Sequence, residues 1–79
     1  MQQLQRRPKM NMKLRNARKR ALLNQYQLAN KCGMSQAYYS AIERGDIAVK
    51  FVYKIKIAGA LGLHITDIFS EDFEDEARN

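Results

Sequence analysis

Apolar residues recur along most of this chain at three- and four-residue spacing, and the recurrence is punctuated at Gly33, Gly45 and Gly62. Met10, Leu14, Ala17 and Ala21 form the first such row, with Lys13, Arg15, Arg18, Lys19 and Arg20 between them, which predicts a first helix beginning at Met10. Asn24 is a favourable N-cap for a second helix, Gln25–Lys31, whose apolar residues Leu28 and Ala29 are followed by Cys32. Gly33 then supplies the left-handed backbone that ends a helix. Ser35 caps a third helix over 36–43, with Tyr39 and Ile42 facing inward. Residues 44–49 read as a loop, and a fourth helix follows over 50–61. Its apolar stripe is Phe51, Ile55, Ala58 and Leu61, joined by Val52 and Ile57. A short fifth helix covers 66–69, with Thr66 and Asp67 in its first turn, where an acid is favoured. No segment reads as a strand, so the expected fold is an all-α bundle of five helices.

The second and third helices are short and joined by a glycine-containing turn, the geometry of a helix-turn-helix corner. Ala29 is small where the two helices approach closely. At Gly33, a residue carrying a β-carbon would raise the energy by about 1–2 kcal/mol. Leu28, Cys32, Met34, Tyr39 and Ile42 are placed to bury together and fix the crossing angle. That arrangement leaves Gln36, Ala37, Ser40 and Ala41 on the outer face of the third helix. Two are small and none is charged, so this edge suits a groove about 12 Å wide.

Charge sharpens the picture. The chain of 79 residues carries a net charge of +6. Every charged residue among the first 20 is basic, and the first acid is Glu43. Residues 71–79 reverse the balance with Glu71, Asp72, Glu74, Asp75 and Glu76 against Arg78. A basic surface that meets polyanions and an acidic tail held away from them fit this polarity. Residues 1–9, interrupted by Pro8, are expected to form a flexible basic arm, residues 10–70 the folded domain and residues 71–79 a frayed acidic tail. The lone Cys32 has no disulfide partner, and with the lone His64 it makes no zinc site. No run of about 18 apolar residues spans a membrane, and a cytoplasmic location is expected.

The stretches LRNARKR, NQYQLANKCGMSQAYYSAIERGD and KIAGALGLHITDIF resemble the Cro and phage-repressor type of helix-turn-helix regulators, the xenobiotic-response-element family. The resemblance runs from about Leu14 to Phe69. It rests on Asn24–Gln25 before the second helix, Ala29, Gly33, Ser35, the Ile-Glu-Arg-Gly at 42–45 and the Ala-Leu-Gly at 60–62. It implies a lambda-repressor-like domain whose third helix reads the major groove of double-stranded DNA, commonly as a homodimer on half-sites about one turn apart. On this resemblance Gln36 is the first base-reading residue, with Ala37, Ser40 and Ala41 along the same face. Gln25 caps the second helix over a phosphate, and Arg44 and Lys50 hold the flanking backbone. Three positions depart from the pattern. Tyr39 replaces a branched aliphatic residue and is expected to direct its hydroxyl to the edge. Val49 and Lys50 replace a proline and a capping serine, and His64 replaces a capping serine.

The remaining polar residues have plainer readings beside these. Tyr38 faces outward in this reading, toward a phosphate or against the second helix. Arg15, Arg18, Lys19 and Arg20 form a largely solvated basic face from which Arg15 and Lys19 are the expected phosphate contacts. Glu43 is read as structural, paired with a base such as Arg15, and Cys32 as a packed thiol. No Gly-rich phosphate loop, nucleophile–base pair or metal constellation suggests an enzyme, and no cofactor is expected. The competing reading is an antitoxin or protein-interaction adaptor with the same fold, reaching a protein partner through the acidic tail around Phe73.

Overall fold

In a computed structural model of the chain, residues 10–69 are described. The expected arm and tail lie outside them. Five helices follow one another, α1 (Met12–Arg20), α2 (Gln25–Lys31), α3 (Gln36–Arg44), α4 (Phe51–Leu61) and α5 (Ile65–Ile68). The described residues contain no strand.

Helix α1 begins two residues later than the apolar pattern predicts, because Asn11 is its cap. The Asn11 side-chain oxygen accepts from the Leu14 N–H at 3.0 Å. The Asn11 N–H donates to the Glu43 carbonyl at 2.8 Å, and its side-chain amide donates to the Ile68 carbonyl at 3.1 Å. One residue thus ties the start of α1 to the ends of α3 and α5. Asn24 and Gln27 form a reciprocal capping box on α2, each bond 2.8 Å. The Ser35 hydroxyl accepts from the Tyr38 N–H on α3 at 3.1 Å. Lys50 opens α4 with no side-chain cap. Helix α5 starts one residue earlier than expected, and the His64 N–H there donates to the Asp67 carboxylate at 3.0 Å.

Helices α1 to α4 all stop in the same way. At each end, one N–H reaches back five residues and the preceding N–H three, the paired bonds of a Schellman motif. The longer bonds are Leu23 to Arg18, Met34 to Ala29, Asp46 to Ala41 and Leu63 to Ala58. The residue between must be left-handed. Gly33 and Gly45 serve at two ends of the helix-turn-helix, with φ of 72° and 80°. After α1 the position is occupied by Leu22, at φ 62° and 88% exposed.

Leu14, Leu28, Tyr39, Ile57 and Ile68 are the largest fully buried side chains, one from each helix. Ala29, Cys32, Ile42, Ala58 and Phe69 complete the core, and Met34 packs against it partly buried. The stripe expected on α4 is corrected. Ile57 and Ala58 are buried and Leu61 partly so, but Phe51, Val52 and Ile55 are exposed. The inward row is Lys54, Ile57, Ala58 and Leu61, at i, i+3, i+4 and i+7. Lys54 is half-buried and holds its ammonium 5.5 Å from the centre of the Phe69 ring.

Candidate nucleic-acid interface

The turn between α2 and α3 is rigid for reasons legible residue by residue. The Gly33 and Met34 N–H groups satisfy the last carbonyls of α2 at Asn30 and Ala29. Ala29 is 1% exposed where α2 meets α3. Cys32 is buried beside it, and burial pushes its thiol up, against the opposing pull of Lys56. With Tyr39 and Ile42 held inward, the outer edge of α3 carries Gln36 and Ala37, both exposed, and Ser40 and Ala41, both half-buried.

Behind that edge sits a buried polar cluster that the sequence does not predict in this form. Glu43, 3% exposed, accepts from Arg18 through both oxygens, at 2.8 Å from Nε and 3.2 Å from Nη2. The Tyr39 hydroxyl donates to one of these oxygens at 2.6 Å and the Gln25 amide to the other at 2.9 Å. Arg18 also donates through Nη1 to the Leu23 carbonyl at 2.9 Å, bracing the turn after α1. Burial works to raise the Glu43 pKa, but the hydrogen bonds from Arg18, Tyr39 and Gln25 and the Arg18 charge outweigh it and hold the carboxyl below its ordinary value. Arg18 is raised by its hydrogen bond to Glu43 despite its own burial. The Tyr39 phenol is pushed far up, by burial first and by its bond to the carboxylate second. The cluster joins α1, α2 and α3 and fixes the tilt of the exposed edge.

Two expectations are corrected here. Glu43 is structural as expected, but the base it pairs with is Arg18 and not Arg15, and Arg18 therefore leaves the basic face. The Arg15 guanidinium instead lies 3.8 Å from the Met10 sulfur. The Tyr39 hydroxyl turns inward to Glu43, not to the edge. The signal for Arg18 was present: Leu14, Ala17 and Arg18 stand at i, i+3 and i+4, so all three share the buried face of α1.

The expected phosphate residues differ in what already holds them. Gln25 is the first residue of α2, with its side chain on Glu43. Tyr38 packs edge-to-face on Tyr53 of α4, ring centres 5.4 Å apart, with the Lys56 ammonium 5.8 Å from the centre of the Tyr53 ring. The packing alternative for Tyr38 thus finds its partner on α4 rather than α2. Arg44 donates to Ser40 Oγ and to Asp46, both at 2.8 Å, across an exposed surface. Lys19 and Lys50 are exposed. Between residues 10 and 69 the acids are Glu43, Asp46 and Asp67, two of them already paired with arginines, so bases outnumber acids over the described residues.

Among the described residues no helix is long and apolar enough to cross a membrane. No curated protein matches the chain. The helix-turn-helix family model matches residues 14–68, a span that holds α2, the Gly33 turn, α3 and the polar cluster behind them. With that match over most of its length, the chain belongs to the Cro/C1-type helix-turn-helix family of DNA-binding regulators.

Proposed function

We propose that the protein is a sequence-specific repressor that sets α3 in the major groove of duplex DNA and acts as a homodimer there. The observation that carries the proposal is the outer edge of α3. Gln36, Ala37, Ser40 and Ala41 are uncharged, short or slim, and outside the core, while the residues behind them are locked to α1 and α2. A side-chain amide at Gln36 can bond adenine N6 and N7 together, and alanine methyls at Ala37 and Ala41 can meet thymine methyls.

Phosphate contacts supply the affinity. On this reading Arg15, Lys19 and Lys50 make such contacts, and Tyr38 contributes through its hydroxyl. Arg44 is held by an exposed ion pair with Asp46, worth about 0–1 kcal/mol, so it exchanges Asp46 for a phosphate at little cost. Gln25 keeps its amide on Glu43 and offers its backbone N–H, one of the unsatisfied donors of a helix start. A dimer neutralising about six to ten phosphates loses roughly 10³–10⁵ in affinity between 50 and 200 mM salt. Sites separated by about 34–36 Å, one turn of duplex, follow from twofold symmetry.

Selection of sites from random duplex DNA tests the reading. It predicts a palindrome, with one half-site position relaxed in Gln36→Ala. Recovery of no common sequence refutes it. The alternative, an antitoxin or adaptor on the same fold, draws support from the exposed apolar side chains of α4. It predicts a stoichiometric protein partner and no DNA binding.

A further inference from the structure

Helix α4 is apolar on two sides. Its inner row is in the core, yet its outer face presents Phe51 at 59%, Val52 at 51% and Ile55 at 48% exposure. An exposed apolar face on a helix whose other face is already in the core marks an interaction surface. The same helix carries Lys50 at its cap and Lys54 and Lys56 along it, with no acid anywhere on it. A twofold contact sets a patch against itself, so a second copy docking by this face would bring like charges together. An acidic occupant with an apolar anchor fits instead.

We propose that the occupant is the chain's own C-terminal segment, residues 71–79, folded back in cis so that Phe73 covers Phe51, Val52 and Ile55 while its flanking acids meet the α4 lysines. The segment offers Phe73 between Glu71–Asp72 and Glu74–Asp75–Glu76. Phe73 lies four residues beyond Phe69, about 13–14 Å of extended chain. The Phe69 ring is itself 5.5 Å from the Lys54 ammonium, and Phe51 and Ile55 are the i−3 and i+1 neighbours of Lys54. The docked segment lies beside Lys50. The consequence that it screens this lysine from phosphate rests on the DNA reading; the docking itself does not.

The test is made on the full chain, with a nitroxide attached at Ala77→Cys. Cys32 is buried and escapes labelling of the folded protein. Amide signals of Phe51, Val52, Lys54 and Ile55 broaden selectively. The broadening persists when the labelled protein is diluted into an excess of isotopically silent, unlabelled protein, and it is lost in Phe73→Ser. Broadening that disappears on dilution identifies a second copy and overturns the proposal. So does broadening centred on α1 and α3, broadening that survives Phe73→Ser, or none that is localised. If no duplex site is ever found, the labelling result still decides the docking, so the two readings fail separately.

Discussion

Replacing Glu43 by leucine strands the Arg18 guanidinium in a site where its side chain is 9% exposed. The substitution also removes the acceptor of the Tyr39 hydroxyl and of the Gln25 amide. Breaking a buried pair from one side costs about 3–5 kcal/mol, chiefly the penalty of an uncompensated buried charge. A chain of 79 residues has a total stability of about 4–12 kcal/mol, so Glu43→Leu should remove a large share of it. The same reasoning predicts recovery. In Arg18→Met/Tyr39→Phe/Glu43→Leu, charge and hydroxyl depart together and apolar groups of similar volume fill the space, with only the Leu23 carbonyl and the Gln25 amide to find water. Exchanging a whole buried ionic cluster in this way is often neutral or stabilising. Urea denaturation followed by far-ultraviolet circular dichroism should place the triple variant at least about 2 kcal/mol above Glu43→Leu, with an unchanged denaturant slope. If the triple variant is no more stable than the single one, or Glu43→Leu costs under about 1 kcal/mol, the buried charge is not what makes the cluster matter.

The cluster also gives stability a pH signature at both ends. Glu43 is held below its ordinary value, so its contribution is complete above the unfolded carboxylate pKa and fades as pH falls below about 4.5, the loss finishing below the lowered native value. Tyr39 is raised, so its contribution is complete below its unfolded pKa of about 10 and fades above it; Tyr39→Phe should flatten the alkaline limb in a pH series of urea midpoints. Leu22 stands left-handed and exposed at the end of α1, and Leu22→Gly should raise the thermal midpoint by relieving about 1 kcal/mol of strain. Gly33→Ala and Gly59→Ala should move stability in opposite directions. A methyl group meets nothing within 4 Å at either site, but Gly33 has φ +72° while Gly59 sits within α4, so the first loses about 1–2 kcal/mol and the second gains up to about 1 kcal/mol in chemical denaturation. In binding titrations, Gln36→Ala should cost about 1–3 kcal/mol on the preferred site and little elsewhere, whereas Lys50→Ala should weaken all duplexes alike and lower the salt slope by about one.

Local chemistry wrote much of this protein into its sequence. Asn24 and Ser35 open helices because their side chains accept orphan N–H groups, and Gly33, Gly45 and Gly62 close them because a left-handed residue is needed there; these are rules read from one position and its near neighbours. The same rules placed Gln36, Ala37, Ser40 and Ala41 outside the core, since Tyr39 and Ile42 claim the opposite side of a single amphipathic helix. Tertiary structure decided what periodicity leaves degenerate. Helix α4 is apolar over too wide an arc for spacing to choose its inner face, and packing against α2 and α5 selected Ile57 and Ala58 over Phe51 and Ile55. The partner of Glu43 lies 25 residues away, so Arg18 prevails over Arg15 through the crossing of α1 and α3, which brings one guanidinium inside and leaves its neighbour on the surface. Leu22 accepts a strained backbone for the same reason: the chain must turn there for α2 to reach the cluster, and the bonds around it outweigh its own preference.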